Sequence, residues 1–252
     1  MSLFRLNGER AVVVGAGGIG GAIAKGIAES GAEVVIADVS SENLARAESA
    51  IRAIGGTVYS IQAEIRNKVD VVSLYERVNG LLPNITLAVN AIGLNLMAHA
   101  VDITEEDWHT VLDGFLSNVF WSNQQAAKIM LPQKKGKIVN LASMSGIIVT
   151  GDRGSSYAAA KAGVIHLTKA LAAEWIADGV YVNAISPGTV DTALTAGFLS
   201  NAEARKSISQ SIPLGRVAQP EDIVGPALFL LSRASDYVVG QNLLVDGGYT
   251  IR

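Results

Sequence analysis

Tyr157 and Lys161 stand four residues apart in Ser156-Tyr157-Ala158-Ala159-Ala160-Lys161, and their chemistry suits them to moving a proton. One helical turn separates them, so phenol and ammonium share a face with Cβ atoms about 5–6 Å apart. A free phenol ionises near pH 10, so serving as a base near neutrality requires about 3 units of phenolate stabilisation, roughly 4 kcal/mol. An ammonium at about 5 Å supplies roughly 3 kcal/mol at an effective dielectric near 20. The pair is therefore suited to general acid–base work on a carbonyl/alcohol couple. A plain helix with a solvated Lys and a half-buried Tyr meets the same spacing, so the surrounding sequence decides.

Val12-Val13-Val14-Gly15-Ala16-Gly17-Gly18-Ile19-Gly20-Gly21 is a β-branched run leading into a glycine turn. Gly15, Gly17 and Gly20 keep the G-x-G-x-x-G spacing, in which missing Cβ atoms let a pyrophosphate reach main-chain N–H groups at a helix N-terminus. The same glycines would also serve a tight turn or close helix–strand packing. Asp38 follows Gly15 by 23 residues, at the end of the next strand. There a carboxylate accepts from the adenosine ribose hydroxyls and repels a 2′-phosphate. With no Arg or Lys in the turn or just after Asp38, NAD is favoured over NADP. The alternative for Asp38 is a cap or turn acid ahead of Ser40-Ser41.

These residues need a frame. Short β-branched runs at 10–14, 33–37, 57–61, 86–89, 137–141, 180–185 and 242–245 alternate with helical patterns at about 18–30, 41–54, 67–81, 104–131, 155–177 and 220–232. Alternation of this kind implies an α/β fold, a doubly wound parallel sheet between helical layers, because crossovers are right-handed. The 187–213 stretch breaks the rhythm and reads as an irregular loop or lid beside the site, over about 189–213.

The bulk numbers agree. A chain of 252 residues with 49% hydrophobic and 17% charged residues suits one domain with buried strands. The net charge of −3, with scattered Lys and Arg, offers no footprint for nucleic acid or an anionic membrane. Without cysteine, disulfides and thiolate metal sites are excluded. His99, His109 and His166 lie at no ligand-like spacing, so no metal is expected. The uncharged run 11–24 is too short and too glycine-rich for a membrane span. The chain is expected to be cytoplasmic.

The glycine turn, Asp38, Asn90-Ala91-Ile92-Gly93, Ser143, Tyr157/Lys161, Pro187-Gly188 and Val245-Asp246-Gly247-Gly248 occur in one order. Together they resemble the short-chain dehydrogenase/reductase family, in its single-domain form of about this length. The resemblance covers residues 8–249. It implies a seven-stranded Rossmann-like sheet, hydride exchange between nicotinamide and a secondary alcohol or ketone, and a homotetramer, for which the Ala-rich face at 156–174 would pack closely.

It also implies roles. Tyr157 would be the acid in reduction and the base in oxidation, and Lys161 would lower its pKa and hold the nicotinamide ribose. Ser143 would hydrogen-bond the substrate oxygen, preferred over Ser145 for its three-residue distance to Gly146. Gly15, Gly17, Gly18, Ile19 and Gly20 would line the pyrophosphate, and Asp38 the ribose. Glu64 and Ile65 would border the adenine, and Asn90 and Gly93 the adenosine side, with a structural role equally open to Asn90. Pro187, Gly188, Val190 and Thr192 would meet the carboxamide and phosphates.

Four positions depart from the family pattern. The glycine turn is one residue shorter and lacks a Thr. Glu64 replaces an Asp, and Ala91 an Asn. Most consequentially, Phe115 falls where the family carries a catalytic Asn, whose main-chain carbonyl holds a proton-relay water. Asn118, three residues on and near the same helix face, is the remaining candidate for that catalytic position. Replacing Phe115 by Asn is expected to raise turnover if the relay is impaired.

Substrate would sit beyond the strand ends, beside Leu94, Asn95, Leu96, Met97, His99, Ile147, Ile148, Thr150 and the lid with Phe198. That largely apolar surface favours a ketone or alcohol with a substantial apolar part, with polyols and sugars still open. An acyl-carrier-protein substrate is disfavoured by the acidic Ala177-Asp178-Gly179 turn, though Lys134 and Lys135 keep it open. Two rival classes stand beside the enzyme: a dinucleotide-binding sensor or scaffold with impaired turnover, and a structural oligomer without ligand.

Overall fold

The computed structural model describes residues 2–251 apart from Leu94, Asn95, Met97, Thr150, Asp152 and Arg153. Of the expected substrate-facing residues, Leu94, Asn95, Met97 and Thr150 therefore lie outside the described residues. Seven strands form one parallel sheet: β1 (Arg10–Val14), β2 (Glu33–Asp38), β3 (Val58–Gln62), β4 (Leu87–Asn90), β5 (Gly136–Leu141), β6 (Val180–Pro187) and β7 (Asn242–Val245). Their order is β3-β2-β1-β4-β5-β6-β7. It reverses between β1 and β4, where a crevice opens beyond the strand ends.

The pleat sorts the core. Val13, Ile36, Val89 and Val139 face α1 (Gly18–Glu29), α2 (Ser41–Ala53) and α9 (Val224–Leu231). Their neighbours Val12, Val14, Val35, Ala88 and Ile138 face α3 (Lys68–Leu81), α5 (Asn118–Met130) and α6 (Ser155–Trp175). Alternate residues of each strand thus bury on opposite layers, which is why the runs are apolar throughout. Side-chain caps start several helices, with Ser40 accepting from Asn43 N, Asn67 from Val69 N and Asp70 N, and Thr104 from Asp107 N.

Three expectations change. The helix expected over 104–131 is broken into α4 (Glu105–Leu112) and α5 by a π-helical turn, Asp113–Ser117. The 220–232 helix begins as a 3₁₀ turn, Pro220–Ile223, before α9. The 189–213 stretch, expected to be irregular, contains α7 (Ala196–Leu199) and α8 (Ala202–Ser211). Asn201 caps α8 by accepting from Glu203 N and Ala204 N. The base of this segment is tied down by paired main chain between Val190 and Ala218 and by the Arg205–Asp191 ion pair.

A chain of buried polar groups runs through the second helical layer. The Tyr75 and Ser122 hydroxyls are bonded at 2.8 Å, Ser122 donates to Asn90 Oδ1, and Asn90 Nδ2 donates to Asn140 Oδ1 at 2.8 Å. Asn123 Nδ2 reaches the same oxygen at 2.9 Å, and Asn140 Nδ2 donates to Thr168 Oγ1 at 3.0 Å. Each member is satisfied, so the network joins α3, α5, β4, β5 and α6 without an unpaired group. Burial pushes the Tyr75 phenol up.

Candidate active site

Two structural devices fix Tyr157 and Lys161. Gly146, in the turn after β5, lies so close to α6 that a Cβ there would stand 2.8 Å from Ala162 N. Lys161, 3% exposed, donates from Nζ to the carbonyl of Leu141, the last residue of β5, at 2.7 Å. Ser143 follows at the same strand end, hydrogen-bonded to the Tyr157 phenol and accepting from Ser145 N at 3.1 Å. Ser143, Tyr157 and Lys161 therefore converge at the ends of β5 and α6.

Phe115 completes this group. The π-turn presses against α6, where Gly163 makes room for Leu116; a Cβ there would lie 2.9 Å from Leu116 Cδ2. Phe115 is consequently 3% exposed, edge-on to the Tyr157 ring at 5.0 Å and 81°. Lys161 Nζ lies 4.5 Å from the Phe115 ring and 5.7 Å from the Tyr157 ring. Burial drives the Lys161 ammonium down to about 7. Burial also pushes the Tyr157 phenol up, against a hydrogen bond with Ser143 that lowers it. Burial thus acts against the charged form of each group, the opposite sense to the stabilisation of the phenolate expected of Lys161.

Asn118 does not join the pair. It is 1% exposed, its Nδ2 donates to the carbonyl of Ile65 at 2.9 Å, and its Oδ1 is buried without a partner. The wider π-turn carries it out of register with the helix face reckoned from an unbroken α-helix. The Asn90 side chain is held by Asn140 and Ser122, the structural role that the sequence left open beside a ligand contact.

The glycine turn divides into two kinds of position. Gly15, at φ +95°, would bring a Cβ within 2.4 Å of the Ala91 carbonyl, and Gly20 within 1.8 Å of the Gly15 carbonyl. Packing alone demands these two. Gly17 is the N-cap of α1, with φ −69° and ψ 174° and no side-chain cap, so the first N–H groups of Gly18, Ile19 and Gly20 face the crevice. Asp38 closes this region by accepting from Ala16 N at 2.7 Å and Ser40 N at 2.8 Å. These contacts match the alternative reading of Asp38 as a turn acid, while Ser40 is the helix cap. Glu64 is paired with Arg66 at 2.8 Å, which turns its carboxylate to solvent.

The segment after β6 roofs the crevice. A Cβ on Gly18 would meet the Thr192 methyl at 2.7 Å, and one on Gly93 would meet Leu194 Cδ1 at 2.8 Å. Thr195, missed in the sequence, sets this loop by donating to Val190 O at 2.6 Å and accepting from Thr192 N at 2.9 Å. The Thr-x-x-Thr spacing was its signal. Gly188 packs on β7, where a Cβ would lie 2.9 Å from Asp246 Cα, Pro187 pairs with Val245, and Val190 is buried. Of the apolar residues expected around substrate, Ile147 and Phe198 are 47% and 45% exposed, and Leu96 packs against the cluster of Val111, Phe115 and Ala160.

These residues fit a nicotinamide dinucleotide. The uncapped α1 N-terminus can take a pyrophosphate, Asp38 stands one strand away, and the buried Asn118 Oδ1 beside Ile65 is left without a partner. A family model described as enoyl-(acyl carrier protein) reductase matches residues 14–250. Galactitol 2-dehydrogenase (L-tagatose-forming) of Cereibacter sphaeroides is 36% identical over 99% of this chain and 98% of its own. A 3-oxoacyl-[acyl-carrier-protein] reductase of Synechocystis is 38% identical over 96% and 97%. The crystal structure of a gluconate 5-dehydrogenase from Burkholderia cenocepacia, in complex with NADP and tartrate, superposes with a TM-score of 0.91 at 32% identity, covering 100% of this chain and 98% of that one. The chain belongs to the short-chain dehydrogenase/reductase family, as an NAD(P)-dependent oxidoreductase of the secondary alcohol/ketone couple.

Proposed function

We propose that Tyr157 is the general acid/base of this oxidoreductase, with Ser143 and Lys161 as its partners and NAD(H) as the preferred dinucleotide. The convergence of these three side chains beside the crevice carries the reading. A bound nicotinamide supplies or accepts the hydride. In reduction the Tyr157 phenol gives its proton to the carbonyl oxygen, which the Ser143 hydroxyl also holds; in oxidation the flow reverses. Lys161 keeps one N–H on Leu141 and offers another to a ribose hydroxyl. Gly17, Gly18, Ile19 and Gly20 would cradle the pyrophosphate, Ile65 and Gly93 would flank adenosine, and the 189–213 segment, with Val190 and Thr192, would be the lid.

Asp38, with no cationic side chain following it in Val39-Ser40-Ser41, supports NAD over NADP, although the Burkholderia gluconate 5-dehydrogenase structure contains NADP. Exposed Ile147, Leu194 and Phe198 favour a substrate with an apolar part. The names of the relatives span a sugar alcohol and an acyl-carrier-protein substrate, so polyols and acyl thioesters belong on the test panel. A homotetramer and a cytoplasmic location complete the proposal.

One experiment tests the reading: NADH and NADPH titrations followed by turnover on a panel of ketones and alcohols, with Tyr157→Phe as control. NADH should bind at least about tenfold tighter than NADPH, and the variant should retain binding while losing about 10²–10⁴ in turnover. Binding by both proteins without turnover on any substrate would instead favour the sensor.

A further inference from the structure

Lys161 has its three N–H groups divided among three surroundings. One donates to the Leu141 carbonyl at 2.7 Å, one side of the ammonium faces the Phe115 ring at 4.5 Å, and the Tyr157 ring lies at 5.7 Å on another. The Phe115 ring belongs to a packed apolar group with Val111 and Ala160, joined by Leu96, Leu112, Leu116 and Tyr157.

We propose that Phe115 is the positioning residue of the pair: its ring takes the place of water behind Lys161 and braces the Tyr157 phenol, so that an aromatic face sets their proton affinity. It does so in two opposed ways. The ring excludes water, which disfavours the ammonium, and it presents its negative face to the ammonium, which partly restores it. The titratable groups on elements packed here are Glu105, Glu106, Asp107 and His109 on α4, Asp113 on the π-turn, His99 and Asp102 ahead of α4, Lys128 on α5, and His166, Lys169 and Glu174 on α6 itself. Among the described residues none of them accounts for the depressed Lys161, which burial alone explains.

The proposal rests on Tyr157 and Lys161 as the proton-transferring pair, yet its test does not need turnover. The Lys161 ¹³Cε resonance, assigned with Lys161→Met, is followed from about pH 5 to about pH 10 in the protein without added dinucleotide. Phe115→Leu keeps the site dry and removes the π face, so its midpoint should fall by about half a unit or more. Phe115→Asn admits water and should raise the midpoint by about one unit or more. The alkaline shift in the pH profile of alcohol oxidation should follow the same order. Coincident midpoints, or the reverse order, overturn the proposal. If the Asn variant does not fold, the direction of the Leu variant decides alone. Loss of turnover in Tyr157→Phe tests the acid/base reading separately.

Discussion

Lys161 is the residue at which catalysis and stability conflict. Its drop from 10.5 to about 7 corresponds to roughly 5 kcal/mol of unfavourable burial at ~1.4 kcal/mol per unit. Below about pH 7 the ammonium is charged in both the folded and unfolded states, and that cost is borne in full. Between about 7 and about 10 the unfolded chain binds the extra proton, so stability rises with pH as the cost is relieved. Lys161→Met should therefore raise stability by about 2–4 kcal/mol at pH 6, less than the full cost because the Leu141 carbonyl loses its donor. The gain should shrink toward pH 10. Urea unfolding at several pH values checks this, and a constant difference would contradict it. Tyr157 opposes the trend only at high pH, where its raised phenol binds a proton that the unfolded chain has lost.

Elements differ in how much of them the sequence discloses. The β1–α1 turn was legible because Gly15, Gly17 and Gly20 carry a spacing, but spacing cannot say which glycine serves a ligand. Local space can. Gly20→Ala forces a Cβ into the Gly15 carbonyl, a backbone atom at 1.8 Å, and should destabilise the fold by about 2–3 kcal/mol. Gly17→Ala meets only the Asn43 side chain at 3.3 Å. It should melt within about 2 °C of the parent while weakening dinucleotide binding more than about tenfold, since its methyl stands where phosphate oxygens approach. Thermal melts and NADH titrations of both variants separate the two roles.

The π-turn was not legible. Val111, Phe115 and Val119 recur every four residues and are all buried, a pattern that an unbroken helix satisfies equally well. One extra residue in a turn leaves no mark in hydrophobic period, yet it changes what Asn118 touches. In α8 the signal was present in Asn201-Ala202-Glu203, a capped start with good helix formers, but the irregular flanks concealed it. Tyr157, Lys161 and Ser143 were legible because their chemistry is local in sequence. Phe115 against the Tyr157 ring and the Lys161 ammonium was not, because that contact joins two helices.

For the whole molecule, the buried polar chain is the widest-reaching device. Asn140 takes donors from Asn90 and Asn123 and supplies one to Thr168. Asn140→Ala would leave buried amides and a hydroxyl short of partners across β4, α5 and α6. A loss of about 3–5 kcal/mol is expected, lowering Tm by about 8–15 °C. Calorimetry reads it directly, and a change under about 3 °C would mean that water replaces the amide. Only the bare Asn ends of Leu-Ala-Val-Asn90 and Ile-Val-Asn140-Leu hinted at this network, as polar residues inside otherwise apolar strands.

The Thr192 methyl resting on Gly18, and Leu194 over Gly93, govern traffic. On the proposed placement of the dinucleotide both contacts lie across its path, so the roof would have to swing away before the nucleotide enters and again before it departs. Small reactants need only the gap near Ile147 and Phe198. The nucleotide should thus be the first arrival and the last departure, and its exit, slowed by added viscogen, should limit the steady-state cycle.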